Sequence, residues 1–333
     1  MSRGAGAAPT AATPDFPVHG ITMKGIHTFL AANGGRKAFV GKTTAAVCAE
    51  MMMPATLATR LSYCAQHADR ADEVGVATVF VSHAWGYEFL AVVDALEAWE
   101  SAPAAVFWFD IFSNPQHGTS EKPFEWWTGC FRDNIQRIGH TLLVLEWEDP
   151  KPLTRAWCVW EMASSVGKTL EVVMSPKEAM RFEQALVSEF DTLVKKLCAV
   201  DVAKAQAFHA SDRERILAAV KETAGVSTVN ETVAGELRGW MAEVGRAALG
   251  RVAMADRANS SMLGAVANLL SDQGKLSEAE PLYRESLEGR KRVLGPDHPS
   301  TLDSLNNLNN LVVEAQDETK GKPKRRKSKC VIA

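Results

Sequence analysis

The sequence predicts an α/β fold built on a parallel sheet, followed by a helical C-terminal part. Three observations carry this prediction. Apolar runs of strand length alternate with amphipathic helical segments between residues 75 and 175. The runs are continuously apolar, as in strands buried on both faces, and beyond residue 176 the periodicity is helical only. With 333 residues, 23% of them charged, the chain has room for two domains of ordinary composition.

The N-terminal part divides into two segments. Residues 1–22 are rich in Ala, Gly, Pro and Thr without periodicity, so we expect no regular structure there. Residues 23–74 have helical spacing. Within them, "GGRKAFVGKTT" lacks the glycine spacing of a phosphate-binding loop, because Arg36 stands where the first glycine is required and no strand precedes it. We predict a loop followed by a helix.

The segment 75–175 alternates between predicted strands and helices. The predicted strands are 75–83, 104–110, 140–147 and 169–175, and the helical patterns between them are 87–100, 124–139 and 153–166. Strand and helix in strict alternation are typical of a parallel sheet with helices on both faces. A capping box with proline at its first helical position, "SPKE" (175–178), then begins a helical extension over 176–256, which we expect to pack on the sheet.

Composition excludes several classes of protein. The net charge is −3, although residues 320–329 hold seven bases and no acid, so the rest of the chain is clearly acidic and we expect no nucleic-acid binding. The six cysteines have no metal-ligand spacing, and no metal site is predicted. The sequence has no apolar run long enough to cross a bilayer and no secretory signal, which indicates a reducing, cytosolic setting.

Residues 257–316 contain a repeat motif. "GKLSEAEPLYRESLE" (274–288) is followed by "LGPDHPSTL" (294–302), and the sequence around Val266 recurs 42 residues later. This resembles tetratricopeptide repeats (TPR) of the kinesin light chain type, which implies a C-terminal α-helical TPR hairpin. Only about one and a half repeats are present, whereas such arrays usually need about three. Two interpretations stay open: a groove that binds protein partners, or a hairpin that packs on the preceding helices.

Three motifs lie near predicted strand ends in the central segment. They are "FVSHAWGYEF" (80–89), "FWFDIFSNPQH" (107–117) and "LTRAWCVWEM" (153–162). In an open parallel sheet, the carboxyl edge of the strands forms the ligand crevice. Together and in this order, the motifs resemble the Toll/interleukin-1 receptor (TIR) domain and the related fungal heterokaryon-incompatibility domain. The resemblance covers about half of the body and implies a flavodoxin-like sheet of the TIR type.

The TIR resemblance implies a site as well as a fold. In catalytic members of that family a glutamate four residues after a tryptophan helps to split the nicotinamide–ribose bond of NAD, which places Glu161 as the catalytic residue. Cleavage leaves an oxocarbenium-like ribose, so a carboxylate beside aromatic faces suits the reaction. NAD would be a substrate, and no cofactor is predicted. The expected substrate-binding residues are Ser82, His83, Trp85, Trp108, Asp110 and Trp157.

The last residues, "KPKRRKSKCVIA", predict a membrane address over 317–333. Cys330 is the fourth-last residue of the sequence and begins a C-a-a-X pattern of the farnesyl class, and the segment resembles the polybasic tails of Ras-type GTPases. A lipid at Cys330 and the neighbouring bases together would hold the protein on an anionic leaflet, at the cytosolic face of the plasma membrane. The bases are Lys322, Lys324, Arg325, Arg326, Lys327 and Lys329. The alternatives are a solvated tail and a nuclear localisation signal.

Two functions from different classes follow. The first is a membrane-tethered signalling protein that hydrolyses NAD through Glu161. The second is a non-catalytic scaffold that binds protein partners through its TIR-like and TPR surfaces. The TIR resemblance also implies self-association. The position of Glu161 distinguishes the two, because an enzyme needs this carboxylate beside an open crevice.

Overall fold

The computed structural model describes residues 16–207, 210–223, 225–253, 257 and 260–319. They form two compact units, each made of several chain segments. Of the described residues, the first unit comprises those within 16–145, 155–175 and 205–223. The second unit comprises those within 146–154, 176–204 and 225–319. Both the α/β architecture and the helical C-terminal part predicted from the sequence are confirmed.

The first unit is built on a sheet of six strands. They are β1 (His19–Ile21), β2 (Val74–Val76), β3 (Val79–Ser82), β4 (Phe107–Trp108), β5 (His140–Val144) and β6 (Thr169–Val173). The spatial order is β2-β1-β4-β3-β5-β6. The pairs β4–β3, β3–β5 and β5–β6 are parallel, whereas β1 runs antiparallel to both β2 and β4. The sheet is therefore mostly parallel, with an antiparallel edge.

Two differences from the sequence prediction concern that edge. Strand β1 lies within residues 1–22, for which we expected no regular structure; residues 1–15 lie outside the described part. The predicted strand 75–83 is two strands, because the run turns between Val76 and Val79 and β2 pairs with β1. Ile21 is fully buried and supports this edge.

Helices of the first unit surround the sheet. They are α1 (Met23–Ala32), α2 (Thr44–Val47), α3 (Met53–Thr56), α4 (Tyr63–Gln66), α5 (Phe89–Glu97), α6 (Asp110–Ser113), α7 (Phe124–Ile138), α8 (Ala156–Ser164) and α10 (Ala210–Thr223). A π-helical turn, Cys48–Met52, joins α2 to α3. Around Gly41, "GKTT" is a loop followed by α2, as predicted, and a 3-10 turn rather than a strand precedes it.

The second unit contains only helices among its named elements. They are α9 (Pro176–Leu197), α11 (Val226–Arg251), α12 (Ser261–Asp272), α13 (Leu276–Leu294) and α14 (Pro299–Thr319). We predicted that all of 176–256 packs on the sheet, but only α10 belongs to the sheet unit, where it contacts α7 and α8. The amphipathic spacing of α9 and α11 could not show that their apolar stripes face other helices.

Candidate functional site

The predicted site residues come together in part at the carboxyl ends of β3 and β4. Ser82 ends β3, and His83 follows it directly. β4 ends at Trp108, and Asp110 begins the short helix α6 two residues later. Because β3 and β4 are adjacent and parallel, both ends open on the same edge of the sheet.

The Glu161 side chain is buried and accepts a hydrogen bond from the hydroxyl of Ser82. Ser82 Oγ donates a hydrogen bond to Glu161 Oε2 at 2.5 Å, joining β3 to α8. The glutamate is only 7% exposed. Burial raises its pKa well above the usual range, and the nearby Asp110 charge raises it further against the opposing hydrogen bond from Ser82. The neutral form of Glu161 is therefore favoured.

Asp110 is fixed by two donors at the same edge. Trp85 Nε1 donates to Asp110 Oδ2 at 2.6 Å, and the Ile111 amide donates to Oδ1 at 2.7 Å. Burial raises the pKa of Asp110, while His83 and the two hydrogen bonds lower it. The Trp85 ring is half-buried against the core, and its N–H is already occupied by Asp110.

His83 is buried and incompletely bonded. Its ring meets Phe109 edge to face, with centroids 4.9 Å apart, and Nε2 has no hydrogen-bond partner among the described residues. Burial lowers the pKa of His83, and Asp110 raises it in opposition. The His83 carbonyl accepts a hydrogen bond from Cys158 Sγ at 3.3 Å, so this loop is tied to α8.

Trp108 and Trp157 do not join this group. Trp108 is fully buried, stacked on Phe80 at 4.9 Å and edge-on to Phe131 at 5.6 Å, and its Nε1 donates to the Pro17 carbonyl. Trp157 packs on the same Phe131 at 5.5 Å. Core side chains therefore cover the Trp108 ring in this structure, and a role for it in substrate binding stays a prediction. Residue type alone could not reveal this, since a buried and a binding tryptophan look the same in a sequence.

Gln116 has a role that the sequence analysis missed. Its Nε2 donates to the carbonyls of Asp110, Ile111 and Asn114, at 3.0, 3.3 and 3.1 Å, and so closes the loop after α6. The sequence contained a signal for this role, because Gln116 lies within the motif at 107–117 that carries part of the family resemblance. It orders the loop that carries Asp110.

The protonation state of Glu161 limits the reactions that this edge of the sheet can catalyse. Stabilising a ribosyl cation needs a charged carboxylate, whereas burial favours neutral Glu161. A neutral carboxyl bonded to Ser82 is suited to holding β3 against α8 or to donating a proton. Among the described residues, no group of three or more His, Cys, Asp or Glu side chains could hold a metal ion.

The second unit contains a helical hairpin at the predicted repeat. α12 and α13 are joined through Gly274, whose φ of 76° is readily adopted by glycine. Ala279 is fully buried, and Tyr283 Oη donates to Asn268 Oδ1 at 2.6 Å across the hairpin. Burial raises the pKa of Tyr283 to about 12. The glycine turn and the small buried Ala279 thus allow the two helices of the hairpin to pack closely.

A pocket of about 120 Å³ opens between helices of the second unit. Polar side chains from α9, α12, α13 and α14 line it, among them Asp191, Asn268, Ser286, Arg290, Ser304 and Asn307. Arg290 Nη1 donates to the Ser300 carbonyl at 2.9 Å and to Ser304 Oγ at 2.8 Å. Sequence reasoning did not identify this pocket.

Other predicted features lie outside the described residues. These are Cys330 and the bases from Lys322 to Lys329. Within the part of the chain that the structure describes, no helix has both the length and the apolar character needed to cross a bilayer.

Comparison with known proteins identifies one region. A tetratricopeptide repeat family model matches residues 260–300, which cover α12, α13 and the turn before α14. No curated protein and no solved structure matches the chain significantly. The predicted TPR hairpin is therefore confirmed by both sequence family and structure.

Proposed function

We propose that this chain is a protein-binding scaffold, and that its TPR hairpin holds a segment of a partner protein. The observation that carries this is the coincidence of the family match at 260–300 with a polar pocket lined by α12, α13 and α14. In contrast to the buried Glu161, Asn268 is exposed, and Arg290 and Asn307 are partly exposed. Asn268, Arg290 and Asn307 supply hydrogen-bonding groups for a bound peptide.

The test is peptide selection on the full chain. A random peptide library is selected against the purified protein, and affinities of selected peptides are measured by fluorescence polarisation. Asn307→Arg places a long side chain in the pocket, and we expect binding to weaken about tenfold or more. Asn310→Arg is the matched control, because Asn310 is exposed on the same helix and does not line the pocket.

Two results would contradict this proposal. One is that the library yields no peptide that binds the wild-type chain. The other is that Asn307→Arg and Asn310→Arg bind the selected peptides as tightly as the wild type does.

NAD cleavage is the second candidate function. It is supported by the convergence of Ser82, Glu161, Asp110 and Trp85 at the carboxyl edge, and by the order of the four parallel strands, which agrees with a flavodoxin-like sheet. In this proposal a TIR-like site opens when a ligand displaces Ser82 and Glu161 becomes charged. The alternative role of the pair is structural.

Nicotinamide release from NAD tests the second candidate. We expect release by the wild-type chain, at least when it is concentrated on vesicles, and none from Glu161→Gln, which retains an acceptor for Ser82. Glu125→Gln is the control, since Glu125 is an exposed glutamate of the same unit. Absence of release by the wild type in both settings, or equal release by Glu161→Gln, would exclude the enzymatic proposal.

For the tail we propose attraction to an anionic membrane surface. Seven bases within residues 320–329 support this, because each base near such a surface contributes up to about 1 kcal/mol. Sedimentation with phosphatidylserine vesicles tests it: binding should fall when Lys324, Arg325, Arg326 and Lys327 are changed to Ala, and neutral vesicles are the control. Lipid attachment at Cys330 stays a prediction.

A further inference from the structure

The pocket between α9, α12, α13 and α14 contains polar groups that other parts of the protein do not bind. Ser286 is 2% exposed and lines this pocket, yet its hydroxyl has no hydrogen-bond partner among the described residues. The side-chain amide of Asn307 likewise makes no hydrogen bond within the described part of the chain. Buried polar groups are almost always hydrogen-bonded, to protein or to an ordered solvent molecule. These two side chains are therefore available to a ligand in the pocket.

Two opposite charges line the same pocket without pairing with each other. Arg290 Nη1 donates to two neutral oxygens, those of the Ser300 carbonyl and the Ser304 hydroxyl. Among the residues that the structure describes, no carboxylate lies within ion-pair distance of this guanidinium. Asp191 on α9 is exposed, and its carboxylate has neither an ion pair nor a hydrogen bond with another described residue. The pocket therefore offers one cation and one anion to a molecule that enters it.

The balance of charge selects among small ligands. A phosphate or a dicarboxylate would be attracted by Arg290 but repelled by Asp191, and a diamine would meet the reverse. A molecule with one carboxylate and one ammonium group is attracted by both residues. The planar guanidinium of Arg290 can hold a carboxylate through two N–H groups, and the Asp191 carboxylate can accept hydrogen bonds from an ammonium group. Charge complementarity therefore favours a zwitterion.

The volume and the lining of the pocket limit the size of that zwitterion. The pocket holds about 120 Å³, whereas pockets for drug-sized ligands hold about 300–1,000 Å³. Where α12 borders the pocket, the small residues Gly264 and Ala265 belong to its lining, and none of the described lining residues has a large aliphatic side chain. The site therefore fits a molecule of the size of one amino acid, with a short or polar side chain.

We propose that this pocket binds a free α-amino acid with a short or polar side chain, whose carboxylate pairs with Arg290 and whose ammonium group pairs with Asp191. Ser286 and Asn307 supply further hydrogen bonds. Because the proposed partner segment enters the same pocket, the amino acid competes with it. This competition rests on the proposed scaffold function, whereas binding of the amino acid does not.

Saturation-transfer NMR on the full chain tests the binding. Glycine, L-alanine, L-serine and L-asparagine are the probes, and we expect at least one of them to bind with a Kd of about 1 mM or below. The amide of the tightest binder lacks its carboxylate, and the 2-hydroxy acid lacks its ammonium group; for alanine these analogues are alaninamide and lactate. Each analogue should bind about fivefold more weakly or worse, because it loses one charge-assisted contact.

Asp191→Asn tests the role of the anion in the pocket. Asp191 is exposed and has no partner within the described residues, so the variant should unfold at the same temperature as the wild type. Its affinity for the amino acid should fall about threefold or more, whereas its affinity for the 2-hydroxy acid should not fall. Asp303→Asn is the matched control, since Asp303 is an exposed acid on α14 that does not line the pocket.

The results separate this proposal from the scaffold function. If no peptide can be selected, the scaffold function fails, and binding of the amino acid is still measured directly. The proposal is overturned if none of the four probes binds, if an analogue that lacks one charge binds as tightly as the amino acid, or if Asp191→Asn and Asp303→Asn have equal effects. Selected peptides should be displaced by the amino acid, and peptides that stay bound when it saturates the protein would overturn the competition.

Discussion

The buried carboxyl of Glu161, which is hydrogen-bonded to Ser82, should make the free energy of unfolding depend on pH. A carboxyl whose pKa is raised on folding binds its proton more tightly in the folded state than in the unfolded one. The free energy of unfolding therefore falls as pH rises from the unfolded pKa, 4.5, towards the higher folded value. Below pH 4.5 the contribution is fully present.

We predict that Glu161→Gln removes this dependence. Above pH 4.5 the variant should become progressively more stable relative to the wild type, with a slope of at most about 1.4 kcal/mol per pH unit. Urea unfolding at several pH values measures it. Asp110 has a raised pKa for the same reason, so Asp110→Asn provides a parallel measurement. An unchanged difference between wild type and Glu161→Gln across this range would mean that Glu161 is not buried in solution.

His83 should act in the opposite direction. Its pKa is lowered by burial from 6.5, so the unfolded state binds more protons and stability falls as pH drops below 6.5. We predict that His83→Leu reduces this loss on acidification and adds about 1 kcal/mol at neutral pH, because Nε2 is a buried atom with no hydrogen-bond partner among the residues that the structure describes. Thermal unfolding between pH 5 and 7 measures both effects. Lower stability of the variant at every pH would indicate that a ligand or water satisfies Nε2.

At the scale of the element, the glycines of α11 differ in what surrounds them. A Cβ at Gly245 would lie 2.7 Å from both Phe190 on α9 and Val266 on α12, whereas nothing lies within 4 Å of one at Gly239. Gly245 thus allows three helices to approach closely. In a helix interior without such contacts, glycine is about 0.5–1 kcal/mol less favourable than alanine.

We predict opposite effects of the same substitution at these two sites. Gly245→Ala should destabilise the chain by about 1–3 kcal/mol through overpacking, and Gly239→Ala should stabilise it by up to about 1 kcal/mol. Chemical denaturation followed by circular dichroism distinguishes them. Stabilisation by Gly245→Ala would show that α9 and α12 do not approach α11 as closely as described.

Helices and strands were predictable from the sequence where their burial produces a hydrophobic pattern that continues over many residues. β5 and α7 lie within their predicted segments because their apolar residues persist over a full strand or several turns. β1 has three residues, too few for a period to be recognised, and its pairing depends on residues more than fifty positions away. The site was predictable to the same extent: motif order indicated the edge that holds Ser82, Asp110 and Glu161, but not that core packing covers Trp108.

For the whole molecule, the arrangement of segments into units is the feature that local sequence reveals least. The predicted α/β domain ended at Ser175, yet α10 belongs to the sheet unit. Ile216 and Val220 of α10 are fully buried. The Ala156 amide at the start of α8 donates to the Gln206 carbonyl at 2.8 Å. An amphipathic helix predicts burial of one face, but not which earlier element it covers.

This arrangement predicts that a chain truncated after Ser175 is not a stable domain. Removing α10 exposes the surfaces of α7 and α8 that it covers and leaves the first turn of α8 without its backbone acceptor. We expect the truncated chain to lack a cooperative urea transition and to bind a hydrophobic dye. In the full chain, Ile216→Ala should accelerate amide hydrogen exchange in α8 more than in the α12–α13 hairpin, because α10 packs directly on α8. A cooperative transition in the truncated chain, with α8 as protected as in the full protein, would instead show that the sheet and its first eight helices are sufficient to fold.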